Sequence, residues 1–69
     1  MKKVITIEGM HCDHCAQKVT SSLEQIDGIK KVKVHLKKKQ ATVVLEHDVD
    51  NNDITSVVKN AGFEVIEIK

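Results

Sequence analysis

The chain has 69 residues, with 11 Lys+Arg against 10 Asp+Glu, a formal net charge of +1 and 41% hydrophobic residues. Two domains would need roughly 100 residues or more, so a single domain over residues 1–69 is expected, and so small a body is a poor frame for a large catalytic cleft. No run of about 18 apolar residues offers a membrane span, and the basic start Met1-Lys2-Lys3-Val4 lacks the apolar stretch of a secretory signal, so the expected location is cytoplasmic.

Phe63 is the one aromatic residue and proline is absent. A nucleic-acid reader that stacks bases carries more aromatics than that. Val, Ile and Leu recur at regular spacing, which argues against disorder. Charge is unevenly spread: residues 1–39 hold nine Lys and four acids, whereas residues 40–69 hold two Lys and six acids. Such a dipole can orient a domain toward a partner, and it is equally what an ordinary solvated surface provides.

Lys3 to Glu8 alternates apolar and polar residues with β-branched character, which predicts a strand with Ile5 and Ile7 on one side and Val4 and Thr6 on the other. Gly9 ends it, and residues 9–14 read as a loop. From about Asp13 the spacing changes. Val19, Leu23 and Ile26 recur at intervals of four and three, which lines them along one helix face. Asp13 is the expected N-cap, and Asp27-Gly28 is expected to close the helix. Ile29 to Leu36 predicts a second strand, with Val32, Val34 and Leu36 alternating with Lys31, Lys33 and His35. Lys37-Lys38-Lys39-Gln40 is a polar turn, and Ala41 to Glu46 completes a hairpin. A second helix is expected from about Asn52 to Ala61, burying Ile54, Val57, Val58 and Ala61 and ending at Gly62. Phe63 to Ile68 is the last strand.

The predicted order is β-α-β-β-α-β. It matches the α+β, ferredoxin-like split βαβ arrangement, an open-faced sandwich of a four-stranded antiparallel sheet with two helices on one face.

Chemistry concentrates in Cys12-Asp13-His14-Cys15. Two cysteines three positions apart suggest a metal site or a redox pair rather than a structural disulfide. Cys12 falls in the loop and Cys15 in the first helical turn, so both sulfurs are expected near the helix N-terminus. Free N–H groups and the helix dipole there favour negative charge and therefore thiolate. Thiolate is a soft ligand that suits Cu(I) and zinc-group ions. A structural zinc site is usually closed by four protein ligands. His35 alternates with apolar residues and should point away from the core, and His47 lies beyond the third strand, so neither is placed beside the cysteines. A surface pair of thiolates is incomplete for zinc and sufficient for low-coordinate Cu(I), and it leaves room for an incoming ligand.

Gly9-Met10-His11-Cys12-Asp13-His14-Cys15 resembles the G-M-x-C-x-x-C signature of the heavy-metal-associated (HMA) domain. The resemblance extends through the helix after the motif, Asp27-Gly28 before a Val-rich strand, and Ala61-Gly62-Phe63 near the end. Within that family, a free-standing chain of this size is similar to the bacterial copper chaperones. The resemblance implies Cu(I) held by Cys12 and Cys15, and delivery to a P-type copper-transporting ATPase whose own metal-binding domains share the fold, or to a copper-responsive repressor. It implies that Met10 packs beneath the loop and that Gly9 lets the loop leave the strand. It also gives Phe63 the place where bacterial members commonly carry Tyr, which keeps apolar shielding without a hydroxyl.

Several other readings compete. A C-x-x-C at a helix start suits thiol redox chemistry, but that fold usually needs a longer chain and a cis-proline, and this chain has no proline. Within the family, a regulatory metal-binding domain of a larger copper or zinc/cadmium ATPase, or a mercury or zinc carrier, remains open. Zinc and cadmium members often place an acid before the first cysteine, where this chain has His11. His14 has a functional reading as auxiliary ligand in a copper-bridged homodimer, and a plainer one as a solvated residue. His11 has a weaker claim, and His35 and His47 read as surface residues. Asp48-Val49-Asp50-Asn51-Asn52 begins like a calcium loop but has Asp53 where Gly is needed and Lys59 where Glu is needed, so it reads as turn and cap chemistry. Lys37-Lys38-Lys39 reads as a solvated edge at the far end or side of the sheet from the metal loop. Lys18 is the better candidate for meeting an acidic partner. No set of base, nucleophile and oxyanion donors can be assembled, so no enzyme is expected.

Overall fold

The computed structural model describes all 69 residues. The elements are β1 (Lys2–Glu8), α1 (Asp13–Glu24), β2 (Ile29–His35), β3 (Gln40–Leu45), α2 (Asn51–Asn60) and β4 (Glu64–Ile68). The strands form one antiparallel sheet in the order β2-β3-β1-β4, with α1 over β2 and α2 over β4. This is the βαββαβ sandwich that the alternation predicts.

The two-residue period decides which sheet face is covered. Ile5, Ile7, Ala41, Val43 and Leu45 are buried beneath the helices, which contribute Val19, Leu23, Ile54 and Val58 to the same core. The register pairs Ile5 with Ala41 and Val43 with Val32, so core residues meet core residues across the strands. The opposite face is left to solvent. A shift in the β1–β4 pairing between Thr6 and Ile7 lets Ile68 and Val65 both oppose core residues, and it leaves Ile66 exposed.

Several expectations need correction. Cys12, not Asp13, is the N-cap of α1. Its backbone is extended (φ −154°, ψ 175°), its side chain makes no capping hydrogen bond, and Asp13 is already the first helical residue. The carboxylate of Asp13 therefore meets the positive end of the helix dipole instead of capping it. The helix stops at Glu24 with Gln25 as C-cap, a turn earlier than Asp27-Gly28 suggested. Ile26 still packs against the core, but from the turn. Its apolar spacing continues past the helix because the chain stays on the core there. Helix α2 starts one residue earlier than expected, capped by Asp50, whose side chain accepts from the Asn52 N–H at 2.9 Å. Val57 and Ala61 are half-buried rather than buried. Phe63 is a partly buried connector ahead of β4, with its N–H bonded to the Val58 carbonyl at 3.2 Å.

The largest correction concerns the lysine turn. The Ile7 N–H donates to the Lys39 carbonyl at 2.8 Å. The β2–β3 turn therefore stands at the end of the sheet where β1 stops and residues 9–12 begin, not at the far end.

A link that the sequence did not suggest ties the other end together. The Lys3 ammonium donates to the Val49 carbonyl (2.8 Å) and to Asn51 Oδ1 (2.6 Å), with Asp48 Oδ1 at 3.8 Å. This strand lysine holds the β3–α2 connection, and Val49 within it is buried.

Candidate metal centre

The C-x-x-C spacing sets the geometry of the two thiols. Cys12 occupies the N-cap and Cys15 the third helical position. Side chains at these two positions meet over the open end of a helix, the relationship used by reciprocal capping pairs. Here the two side chains are thiols. Their sulfurs lie 3.9 Å apart and form no disulfide, with Cys12 exposed and Cys15 half-buried against the core.

The loop that carries them is shaped from below. Met10 is 5% exposed and belongs to the core, so its thioether anchors the loop and does not point out with the thiols. Gly9 has φ +102°, and a Cβ there would stand 3.3 Å from Phe63 Cδ1. The positive φ favours glycine, and the close ring leaves a Cβ only a tight fit.

Electrostatics at the site favour thiolate at Cys15. Its pKa is lowered from 9.0, first by hydrogen bonding from the backbone amide of His11. Partial burial opposes the shift. Hydrogen bonds from the Cys12 side chain and backbone, and the positive charge of Lys18, assist it. Lys18 thus acts one turn along the helix, on the side where a docking role was expected for it.

His11 and His14 are exposed. No third His, Cys, Asp or Glu side chain joins the two sulfurs in a cluster of metal-ligand type. His35 is exposed on the open sheet face, and His47 packs its ring over Gly28 at the opposite end. The thiol-loop end gathers residues far apart in sequence: Cys12 and Cys15, Phe63, and the turn that holds Lys37, Lys38 and Lys39. The signal for that last neighbour lay in strand direction. β1 and β3 are antiparallel, so the end of one meets the start of the other.

Residues 4–64 match the Heavy-metal-associated domain family. The chain belongs to that family. A relative is the copper chaperone CopZ of Enterococcus hirae, 35% identical over 65 residues that cover 93% of this chain and 94% of that one. Among solved structures, a CopZ metallochaperone superposes with a TM-score of 0.90 at 28% identity, covering 96% of this chain and all of the other. A copper binding domain from a P-type ATPase superposes with a TM-score of 0.84 at 31% identity over 100% and 99% of the two chains. This heavy-metal-associated domain thus resembles both free-standing carriers and ATPase modules. No helix in it is long and apolar enough to cross a membrane.

Proposed function

We propose that this chain is a cytoplasmic copper chaperone that binds Cu(I) through Cys12 and Cys15 and passes it to a P-type copper-transporting ATPase. The observation that carries this is the open pair of sulfurs, 3.9 Å apart at the N-terminus of α1. A thiolate–metal bond is about 2.3 Å for zinc, so two sulfurs at this separation can share one ion of similar size. Two thiolates and no third protein ligand suit a soft, low-coordinate ion. Helix-end amides and Lys18 offset the negative charge of the bound pair.

Transfer proceeds by ligand exchange. A thiolate of the acceptor adds to Cu(I) while both donor sulfurs still hold it, giving a three-coordinate bridge. The exposed Cys12 then leaves before the half-buried Cys15, and a second acceptor thiolate completes the exchange. Each bond broken is preceded by one made, so no free ion appears. Direction comes from the acceptor's onward use of the metal. The cationic flank of the site, Lys18 on α1, suits an acceptor with an acidic surface. The same pair of thiols would serve a copper-responsive repressor, or a second copy of this chain in a copper-bridged homodimer.

A second reading, as a metal-binding module of a larger ATPase, is favoured by the likeness to the ATPase domain. A transfer experiment tests the first. Loaded protein is mixed with the apo metal-binding domain of a copper ATPase, and the two are separated and assayed for copper. The chaperone reading expects copper to reach the acceptor faster than a strong Cu(I) chelator in solution can intercept it. Interception of all the copper by the chelator would contradict direct hand-off.

A further inference from the structure

The face of the sheet opposite the helices carries no second layer, and its charge is sharply divided. Lys2, Lys31, Lys33 and His35 surround Thr42 and Val44 in one shallow concavity. The register explains the grouping. Val44 is flanked by Lys31 of β2 on one side and Lys2 of β1 on the other, and Thr42 stands beside Lys33. The only lysine ion pairs in the molecule belong to Lys3 and Lys69, so these three ammonium groups have no carboxylate partner. Glu8, Glu64 and Glu67 sit along the β1–β4 side, and Glu46 follows β3 at the end away from the lysine turn. The lysine turn continues the cationic half toward the metal-loop end.

We propose that the β2–β3 half of this open face is a docking surface for an anionic lipid membrane. The cations are spread in two dimensions. Lys31 and Lys2 are separated by two strand spacings, about 10 Å, and Lys31 and Lys33 by two residues along one strand, about 7 Å. A headgroup surface is itself a two-dimensional array of charge and matches that spread. A stable protein interface needs apolar or aromatic anchors at its centre, and Val44 is the only apolar residue in the concavity. A base-stacking partner finds no aromatic side chain in this concavity, since Phe63, the one aromatic residue, packs against the hydrophobic core. Six lysines across the half-face and its turn fall within the cluster size at which juxtamembrane basic segments bind anionic lipid. The acidic β4 side tilts the domain onto the β2–β3 half, leaving the helices and the thiols uncovered at the edge. Membrane binding needs no copper. Its use, holding the metal loop beside a membrane-embedded acceptor, rests on the chaperone reading.

The test is sedimentation of the reduced, metal-free chain with vesicles of phosphatidylcholine, with and without phosphatidylglycerol. The chain should partition onto the phosphatidylglycerol vesicles at low ionic strength, and neither onto phosphatidylcholine alone nor in high salt. Lys31→Gln with Lys33→Gln should weaken partition about 25-fold, at about fivefold for each lysine near an anionic surface. Lys18→Gln with Lys59→Gln removes the same charge from the helix side and should leave partition nearly unchanged. Lys2→Gln gives an independent single-site check, and circular dichroism verifies that each variant is folded. No partition at low ionic strength overturns the proposal, as does an equal loss in the two double variants. Binding to poly-glutamate without binding to vesicles would also overturn it, in favour of an acidic protein partner. Because the Cys12→Ser chain should bind vesicles as the parent does, failure here is separable from failure of the copper reading.

Discussion

Phe63 closes over Gly9: its Cδ1 lies 3.3 Å from the place a Cβ would occupy, and Gly9 itself sits at φ +102°. The ring from the α2–β4 connection and the backbone leaving β1 thus fix one another immediately before the thiol loop. Gly9→Ala would force a left-handed backbone on an L-residue and push the ring away. A cost of about 1–3 kcal/mol is expected from the backbone alone, measured as a lowered urea midpoint with unchanged slope. The loop should loosen as well, so Cu(I) affinity should fall together with stability. A Gly9→Ala chain as stable as the parent would contradict this account of the loop.

Leu23 is fully buried between helix and sheet, whereas Ile66 is 59% exposed at the β4 irregularity. Leu23→Ala should cost about 2–5 kcal/mol through lost burial and the cavity left behind. A chain of this length has a total stability of only about 3–10 kcal/mol, so this variant should lose a large part of it and melt at a markedly lower temperature. Ile66→Ala should change stability by less than about 0.5 kcal/mol. Thermal unfolding followed by circular dichroism compares the two directly.

The caps make a paired prediction. Asp50 accepts from the Asn52 N–H, whereas no side-chain cap closes α1. Asp50→Ala should destabilise by about 0.5–2 kcal/mol through loss of that bond. Asp13→Ala should cost only about 0.3–1 kcal/mol, the interaction of a first-turn carboxylate with the helix dipole. Denaturant midpoints that rank the two the other way would restore Asp13 as the cap.

The Cys15 thiol titrates below 9.0, chiefly because the backbone amide of His11 stabilises its thiolate. The sign for stability follows from linkage. A lowered acid pKa stabilises the fold fully above pH 9.0, and that contribution is lost as pH falls through the folded value. For metal binding, a ligand that sheds its proton more readily competes better for the ion below that pH. Thiolate absorbance in the Cys12→Ser chain should give a midpoint below 9.0, since the His11 amide remains. A midpoint at or above 9.0 would contradict the assignment.

Element order and sheet arrangement were legible because alternation in residues 3–8, 31–36 and 41–45 and the helical spacing of Val19 and Leu23 all reflect one buried face. What failed did so for local physical reasons. Cys12 and Asp13 can each stand at a strand-to-helix junction, and only the extended backbone at Cys12 decides which one is the cap. Ile26 keeps the helical spacing after the helix has ended, because burial and not helicity selects it. The lysine turn was misplaced because residue pattern gives periodicity and not direction. Following β1 into β3 as antiparallel neighbours would have brought Lys39 to Ile7. At the thiol pair, the meeting of both sulfurs near the helix N-terminus was readable from spacing, whereas the capping role of Cys12 was not. Nor was the His11 amide, since backbone polarity leaves no trace in residue type. The grip of Lys3 on Val49 and Asn51 was hidden in the same way, as the bonds run to a carbonyl and an amide 46 and 48 residues away.

In the proposed function, Cys12 and Cys15 together hold one soft monovalent ion in preference to zinc. An anaerobic titration of the reduced chain against a chromophoric Cu(I) chelator, with a parallel Zn(II) titration and the Cys12→Ser chain as control, tests it most directly. The account predicts one Cu(I) per chain, held far more tightly than Zn(II), with tight binding lost in Cys12→Ser. Zinc bound as tightly as copper, or full Cu(I) affinity retained without Cys12, would contradict it.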